Sequence, residues 1–299
     1  MELTIYNEKR EGLAAAAFSW LTEGIGKSAD NGELRKLQQG LRVSKIGFSR
    51  MRDSLPARHR QGFWGSLSVS PRGTFDVVYN PYVRDALPWL MRCLNETPES
   101  ASAQIGEFTE GGDVGNSTIR LSASFDDSLP SYVKLAYHID EALLTNPATA
   151  HAEHARLLTT INWACQRFNV VFGHFSYAHS GGRTELERYL RGPARVPEHN
   201  TPHWRERLRG YSWLMVVSED IARRIGGTDA LNESGAFCSV SALPNGSLLL
   251  QATSLFHEYR NGRVEAVHHT MREVLIDGEF RQPASVPGQP STHMVIFAV

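Results

Sequence analysis

Apolar and polar positions alternate most clearly over residues 62–79, where Phe63, Leu67, Val69, Phe75, Val77 and Tyr79 flank Pro71-Arg72-Gly73. Aromatic and β-branched residues on either side of a Pro/Gly turn predict two antiparallel strands. Ile119, Leu121, Ala123 and Phe125 repeat the period of two and predict a strand over 118–125. Asn80-Pro81 offers a cap and a first-turn proline, so a helix is expected to follow, with Val83, Leu87, Leu90 and Leu94 on one face despite Pro88. Residues 10–24 read as a helix ending near Gly24-Ile25-Gly26, with a short helical stretch at 33–39 and a strand with broken alternation at 41–48. Residues 131–144 fit both periods. Val133, Leu135, Tyr137 and Ile139 alternate, while the Glu141-Ala142-Leu143-Leu144 ending and Pro130 near the start tip the expectation to helix.

Past Asn146-Pro147, a helix over 148–168 places His154, Leu158, Ile161, Cys165 and Phe168 on one stripe, and residues 170–177 then read as a strand. The last third predicts a strand at 210–217, a helix at 219–225 closed by Gly226-Gly227 and a strand at 235–243. A Pro244-Asn245-Gly246 turn, a strand at 247–253 and a helix at 263–276 complete it. Hairpins followed by amphipathic helices predict an α+β fold, with antiparallel sheet or sheets built from hairpins and helices packed on one face. The polar Pro- and Gly-containing stretch 192–201 reads as a linker. A chain of 299 residues accommodates two α+β halves, 1–147 and 148–299, or one continuous domain.

Composition narrows the partners. The hydrophobic share is 41% and the charged share 21%, as in ordinary globular proteins. A net charge of −1 gives no electrostatic excess for nucleic acid or an anionic membrane, and no apolar run approaches the roughly 20 residues of a bilayer span. Cys93, Cys165 and Cys238 are odd in number, far apart and set in apolar or small-residue segments, which predicts reduced, buried thiols and a cytoplasmic location. Charge is uneven locally. Arg35, Lys36, Arg42, Lys45, Arg50, Arg52, Arg58 and Arg60 face only Glu33 and Asp53, whereas Glu96, Glu99, Glu107, Glu110 and Asp113 occupy 95–113 with no Lys or Arg. The basic stretch reads as a solvated face, and the acidic one as a solvated connection around a possible short strand.

Candidate chemistry is sparse. Gly24-Ile25-Gly26-Lys27-Ser28 ends like a phosphate loop, but Leu21 stands where the first glycine belongs, so a helix terminus is expected instead. No Gly-x-Ser-x-Gly occurs. His138, His151, His154, His174 and His179 fall in one stretch with Asp140, Glu141 and Glu153, and His151 and His154 are spaced to share a metal with His138 or Asp140. There is no His-Glu-x-x-His, and His154 continues an apolar stripe, which favours a structural imidazole. No catalytic residue, cofactor or metal is therefore expected. Tyr211, Trp213 and Phe237 are expected in the core. The best candidate for meeting a partner is the loop 177–183, whose Tyr177, His179 and Arg183 offer aromatic, imidazole and guanidinium groups.

The segments Arg209-Gly210-Tyr211-Ser212-Trp213-Leu214, Ala222-Arg223-Arg224-Ile225-Gly226-Gly227, Gly235-Ala236-Phe237 and Gly246-Ser247-Leu248-Leu249-Leu250-Gln251-Ala252-Thr253 belong together with Phe172-Gly173-His174-Phe175-Ser176 and Arg183-Thr184-Glu185-Leu186-Glu187. Over residues 170–253 they resemble bacterial polymorphic-toxin immunity proteins of the immunity protein 52 type. The resemblance implies a cytosolic α+β protein that binds and neutralises a cognate protein toxin by steric occlusion, without enzymatic activity. Its motifs are scaffold elements, so no binding residue carries over. Two alternatives remain at this point: a metal-dependent hydrolase using residues 138–179, and a structural subunit of a bacterial assembly.

Overall fold

The computed structural model describes residues 1–29, 63–108, 114–178, 181–281 and 295. The basic stretch, with the expected helix at 33–39 and strand at 41–48, lies outside the described residues. The chain forms two compact units: one comprises Met1–Ile5, Leu144–His154 and Asn169–Val299, the other Tyr6–Leu143 and Ala155–Phe168. Strand β1 (Glu2–Tyr6) opens the chain and, through Ile5, belongs to the first of these.

In the unit holding residues 6–143, strands β2 (Phe63–Ser70), β3 (Val78–Pro81), β4 (Ser100–Phe108), β5 (Val114–Phe125) and β6 (Tyr132–His138) are hydrogen-bonded in the order β3-β2-β4-β5-β6, every pair antiparallel. The register explains the core. Leu67 faces Ala103, Ala103 faces Leu121, and Leu121 faces Tyr137, all buried, so apolar residues of four strands line up in rows. Helix Arg10–Ser19 runs into a π-helical turn, Trp20–Gly24, and then into helix Ile25–Ser28. Trp20 is fully buried and its indole N–H donates to the Ser122 carbonyl at 3.1 Å. Gly24 permits this approach, because a Cβ there would lie 3.1 Å from Leu121 and 3.2 Å from Trp163. The helix therefore does not end at Gly24. Ser28 Oγ donates to the Gly24 carbonyl at 2.9 Å and lies 3.1 Å from Thr160 Oγ1, so the Gly-Lys-Ser run is helical backbone and not a phosphate loop.

Three expectations need correction here. Residues 132–138 are strand, not helix: Val133, Leu135 and Tyr137 pair with Phe125, Ala123 and Leu121, and the short helix Glu141–Thr145 follows separately. The period-two signal was the real one, and tertiary pairing overrode the helical ending. Asn80 and Pro81 do not cap a helix but close β3 opposite Leu67 and Ser66. Proline is tolerated there because β3 ends the strand order. The helix, Leu87–Asn95, starts later with Pro88 in its first turn, behind the 3-10 turn Arg84–Ala86. The strand expected within the acidic connection over 95–113 is not short: β4 has nine residues, and its Ala101, Ala103 and Ile105 are buried.

In the unit holding residues 169–299, β1 continues to β7 (Val170–His174), β8 (Leu214–Val217), β10 (Leu248–Gln251) and β9 (Ser239–Ala242), in the order β1-β7-β8-β10-β9 with every pair antiparallel. Every residue of β7 and β8 is buried, which a strand achieves only when both of its faces are covered. Gly173 sits where a Cβ would lie 2.9 Å from Leu3 and 3.0 Å from Val216. Ser218 caps helix Glu219–Arg224, accepting the Ile221 N–H at 3.3 Å. Gly226 takes the left-handed conformation (φ 88°) between that helix and Gly227–Glu233. Helix Gly262–Met271 buries Val264, Val267 and Met271. Tyr211, Trp213 and Phe237 are buried as expected, but of the three thiols expected to be buried only Cys165 is, Cys93 being half-buried and Cys238 exposed. The stretch 192–201 is not a linker. It forms successive helical turns, Gly192–Arg195, Pro197–Asn200 and Thr201–His203, in which Pro193, Pro197 and Pro202 occupy first-turn positions. Among the described residues no helix is long and apolar enough to cross a membrane.

Candidate functional site

The loop 177–183 leaves β7 and is fixed at both ends by a buried polar network within its own unit. At the near end, the Phe175 N–H donates to Ser212 Oγ at 2.9 Å, and the Tyr177 N–H donates to Glu185 Oε1 at 3.1 Å. At the far end, Thr184 caps helix Glu185–Arg188 reciprocally. Thr184 Oγ1 accepts the Glu187 N–H at 3.1 Å, and Glu187 Oε2 accepts the Thr184 N–H at 2.9 Å. The Thr184 hydroxyl also donates to the Arg209 carbonyl at 2.8 Å, a contact that needs glycine at 210, where a Cβ would stand 2.8 Å from Thr184 Oγ1.

Beneath this cap lies an ion pair that is almost wholly shielded: the Arg209 side chain is 2% exposed and that of Glu187 0%. Arg209 Nε and Nη2 donate to the two oxygens of Glu187, each at 2.9 Å, and Nη2 also donates to the Gly182 carbonyl at 2.8 Å. Asn200 Nδ2 donates to Glu187 Oε1 at 2.8 Å and to the Ala194 carbonyl at 2.9 Å. The guanidinium stands 5.4 Å from the centre of the Phe172 ring, with Glu2 Oε1 at 3.9 Å from Nη1. Burial alone would lower the Arg209 pKa. The attraction and hydrogen bonds of Glu187 outweigh that loss of solvation, and the pKa is raised. A buried pair of this kind adds little net stability over apolar residues of similar volume, yet breaking it is costly. Its consequence here is positional, since Gly182 is tied to the core through Arg209.

The candidate residues fall as follows. Tyr177 and Arg183 mark the two ends of the loop, both half-buried, and Arg183 Nε donates to the Arg195 carbonyl at 3.2 Å. His179 lies outside the described residues. Reading the sequence missed Glu187, Asn200 and Arg209 as the anchor. One signal was available, because Thr184-x-x-Glu187 has the spacing of a capping box; the pairing of Glu187 with Arg209 had none.

Among the described residues the candidate histidines do not form a metal site. His138, on β6, meets Ser122 Oγ through Nε2 at 2.8 Å, and burial pushes its pKa down to about 4. His154 is committed at both nitrogens: Nδ1–H donates to the Ala150 carbonyl at 2.5 Å, and Nε2 accepts the Phe256 N–H at 2.7 Å. Its ring meets Trp213 edge-on at 5.1 Å, and burial lowers its pKa. That arrangement fixes a neutral tautomer with no lone pair left for a metal. His174 stacks on Phe172, and His151 is exposed. Among the described residues no three His, Cys, Asp or Glu side chains gather as a metal site would require.

No protein family matches the chain, and no curated protein does. Among solved structures, the chain is similar to the Pseudomonas aeruginosa T6SS protein PA0821, with a TM-score of 0.53 at 12% sequence identity, over 97% of this chain and 76% of that one. At this identity the likeness is one of fold.

Proposed function

We propose that this chain is an immunity-type protein of a type VI secretion context that binds a cognate toxin in the cytoplasm and neutralises it by steric occlusion. The observation that carries the reading is the likeness over 97% of the chain to a protein named for that secretion system. The resemblance of residues 170–253 to toxin-immunity proteins points the same way. The tethering of Tyr177 to Glu185 and of Gly182 to Arg209 supports binding over chemistry. Both ring nitrogens of His154 are held by the backbone, and both oxygens of Glu187 by Arg209, Thr184 and Asn200, whereas Tyr177 and Arg183 are held at the ends of a loop where a partner could meet them.

The test is co-expression with a candidate toxin, sought first among the products of adjacent genes. Survival of the cells, together with a one-to-one complex on gel filtration, is the expected result. Absence of both protection and complex, with co-purification of secretion-apparatus components instead, would replace this reading by that of a structural subunit.

A further inference from the structure

Two residues of the unit holding residues 6–143 break a local rule, and they meet at one place. Arg10 is the first residue of helix Arg10–Ser19, where the helix dipole disfavours a cation. Thr97, just past helix Leu87–Asn95, takes a left-handed backbone (φ 47°), which a β-branched residue adopts only at a cost. Thr97 is buried, and two guanidinium groups converge on it. Arg10 Nη2 donates to its hydroxyl, and Arg72 Nε donates to its carbonyl at 2.6 Å. Broken local rules of this kind gather at functional sites.

The same residues line a hollow of about 200 Å³ that opens to solvent. Leu13, Phe125, Pro130 and Tyr132 give it apolar walls, and Arg10, Arg72, Thr97 and Asp126 supply its polar groups. Its enclosed part has room for little more than one water-sized group. Among the described residues, Arg10 has a neutral hydroxyl as its hydrogen-bond partner and no carboxylate within ion-pair distance. Arg72 Nη1 pairs with Asp127 at 2.9 Å, and among the described residues its Nη2 carries no bond. Asp126 Oδ1 is taken by the N–H and the hydroxyl of Ser128, at 2.9 and 2.6 Å. Partial burial works against its ionised form, but these bonds, with Lys134 and Arg72 nearby, lower its pKa and keep it charged.

Spare guanidinium donors above apolar walls select a planar monoanion. The two arginines offer N–H forks to a carboxylate, and the walls take an aliphatic stem. The Asp126 charge and the narrow base disfavour a dianionic, tetrahedral phosphate. We propose that this hollow binds a carboxylate on a short aliphatic stem, held between Arg10 and Arg72 with the stem against Leu13 and Phe125. The carboxylate belongs to a small free acid or to a glutamate side chain of a bound protein. The site stands apart from the proposal that the protein neutralises a toxin.

The experiment follows the Thr97 amide and the Arg72 Nε–H of the full chain by NMR. The titrants are sodium butyrate, a Gly-Glu-Gly peptide with blocked termini, inorganic phosphate, and sodium chloride at matched ionic strength. Saturable shifts of both signals are expected with butyrate and with the peptide, and the tighter of the two identifies the source of the carboxylate. In Arg10→Gln, and separately in Arg72→Gln, affinity should fall about tenfold, the loss of one charge-assisted hydrogen bond. Lys9→Gln removes an exposed charge next to the site and should change affinity by no more than about twofold. Circular dichroism identifies a variant that is unfolded, and the other arginine variant then decides. Carboxylate shifts no larger than those of chloride, or phosphate binding tighter than either carboxylate, would overturn the proposal. So would affinity unchanged in the folded arginine variants, or a loss in Lys9→Gln equal to theirs.

Discussion

Removing one partner of the Glu187–Arg209 pair is the sharpest perturbation available, because the two side chains are 0% and 2% exposed. In Glu187→Ala, Arg209 keeps the Gly182 carbonyl and a distant Glu2 oxygen at 3.9 Å. The Thr184 N–H and Asn200 Nδ2 lose an acceptor at the same time. An uncompensated buried charge costs about 3 to 5 kcal/mol. Arg209→Met leaves Glu187 with the Thr184 and Asn200 donors and should cost about as much at the lower end of that range. The double variant Glu187→Ala/Arg209→Met removes both charges and should cost less than the sum of the singles, with a coupling of about 1 to 3 kcal/mol. Urea unfolding followed by tryptophan fluorescence gives the three values. Hydrogen exchange gives a local readout, since the amides of Gly182 and Arg183 should exchange faster in Glu187→Ala while those of β10 do not. Single variants that each cost less than about 1 kcal/mol and combine additively would refute the reasoning.

Trp213→Ala should destabilise by about 3 to 5 kcal/mol through the cavity it leaves. The Thr253 carbonyl that accepts its indole N–H at 2.8 Å keeps Gln251 Nε2 at 2.9 Å, so packing dominates, and thermal melts check it. His154→Leu strands the Phe256 N–H and should cost about 1 to 3 kcal/mol, measured by urea midpoint. On acidification the unfolded chain protonates His138 near its ordinary value of 6.5, while the folded protein holds out until about 4. Stability from this residue is therefore full above pH 6.5, falls between 6.5 and 4 by about 3 kcal/mol, and levels off below. His138→Gln should flatten the pH dependence of the unfolding midpoint in that window.

Much of the architecture was legible where burial imposes a simple period. The alternating Ile119, Leu121, Ala123 and Phe125 are buried on β5, and Trp213 and Tyr211 enter the core. Strand β6 was misread because Val133, Leu135 and Tyr137 run directly into a helical segment, so one window carried two periods. Strand β4 was obscured by its small residues. Ala101 and Ala103 fit a tightly paired interior but carry almost no hydrophobic signal. Of the site, the loop and the Thr184-x-x-Glu187 spacing were readable. The Glu187–Arg209 pair was not, since 22 residues separate partners that only the fold brings together.

Titration of a candidate toxin's activity against this protein tests the central claim most directly. A steric inhibitor that buries on the order of 1,600 Å² acts by occupancy. Residual toxin activity should fall linearly and reach its floor at one molar equivalent, with intact toxin recovered from the complex. Full neutralisation at a small molar fraction, with cleaved or covalently altered toxin and no complex, would contradict the account.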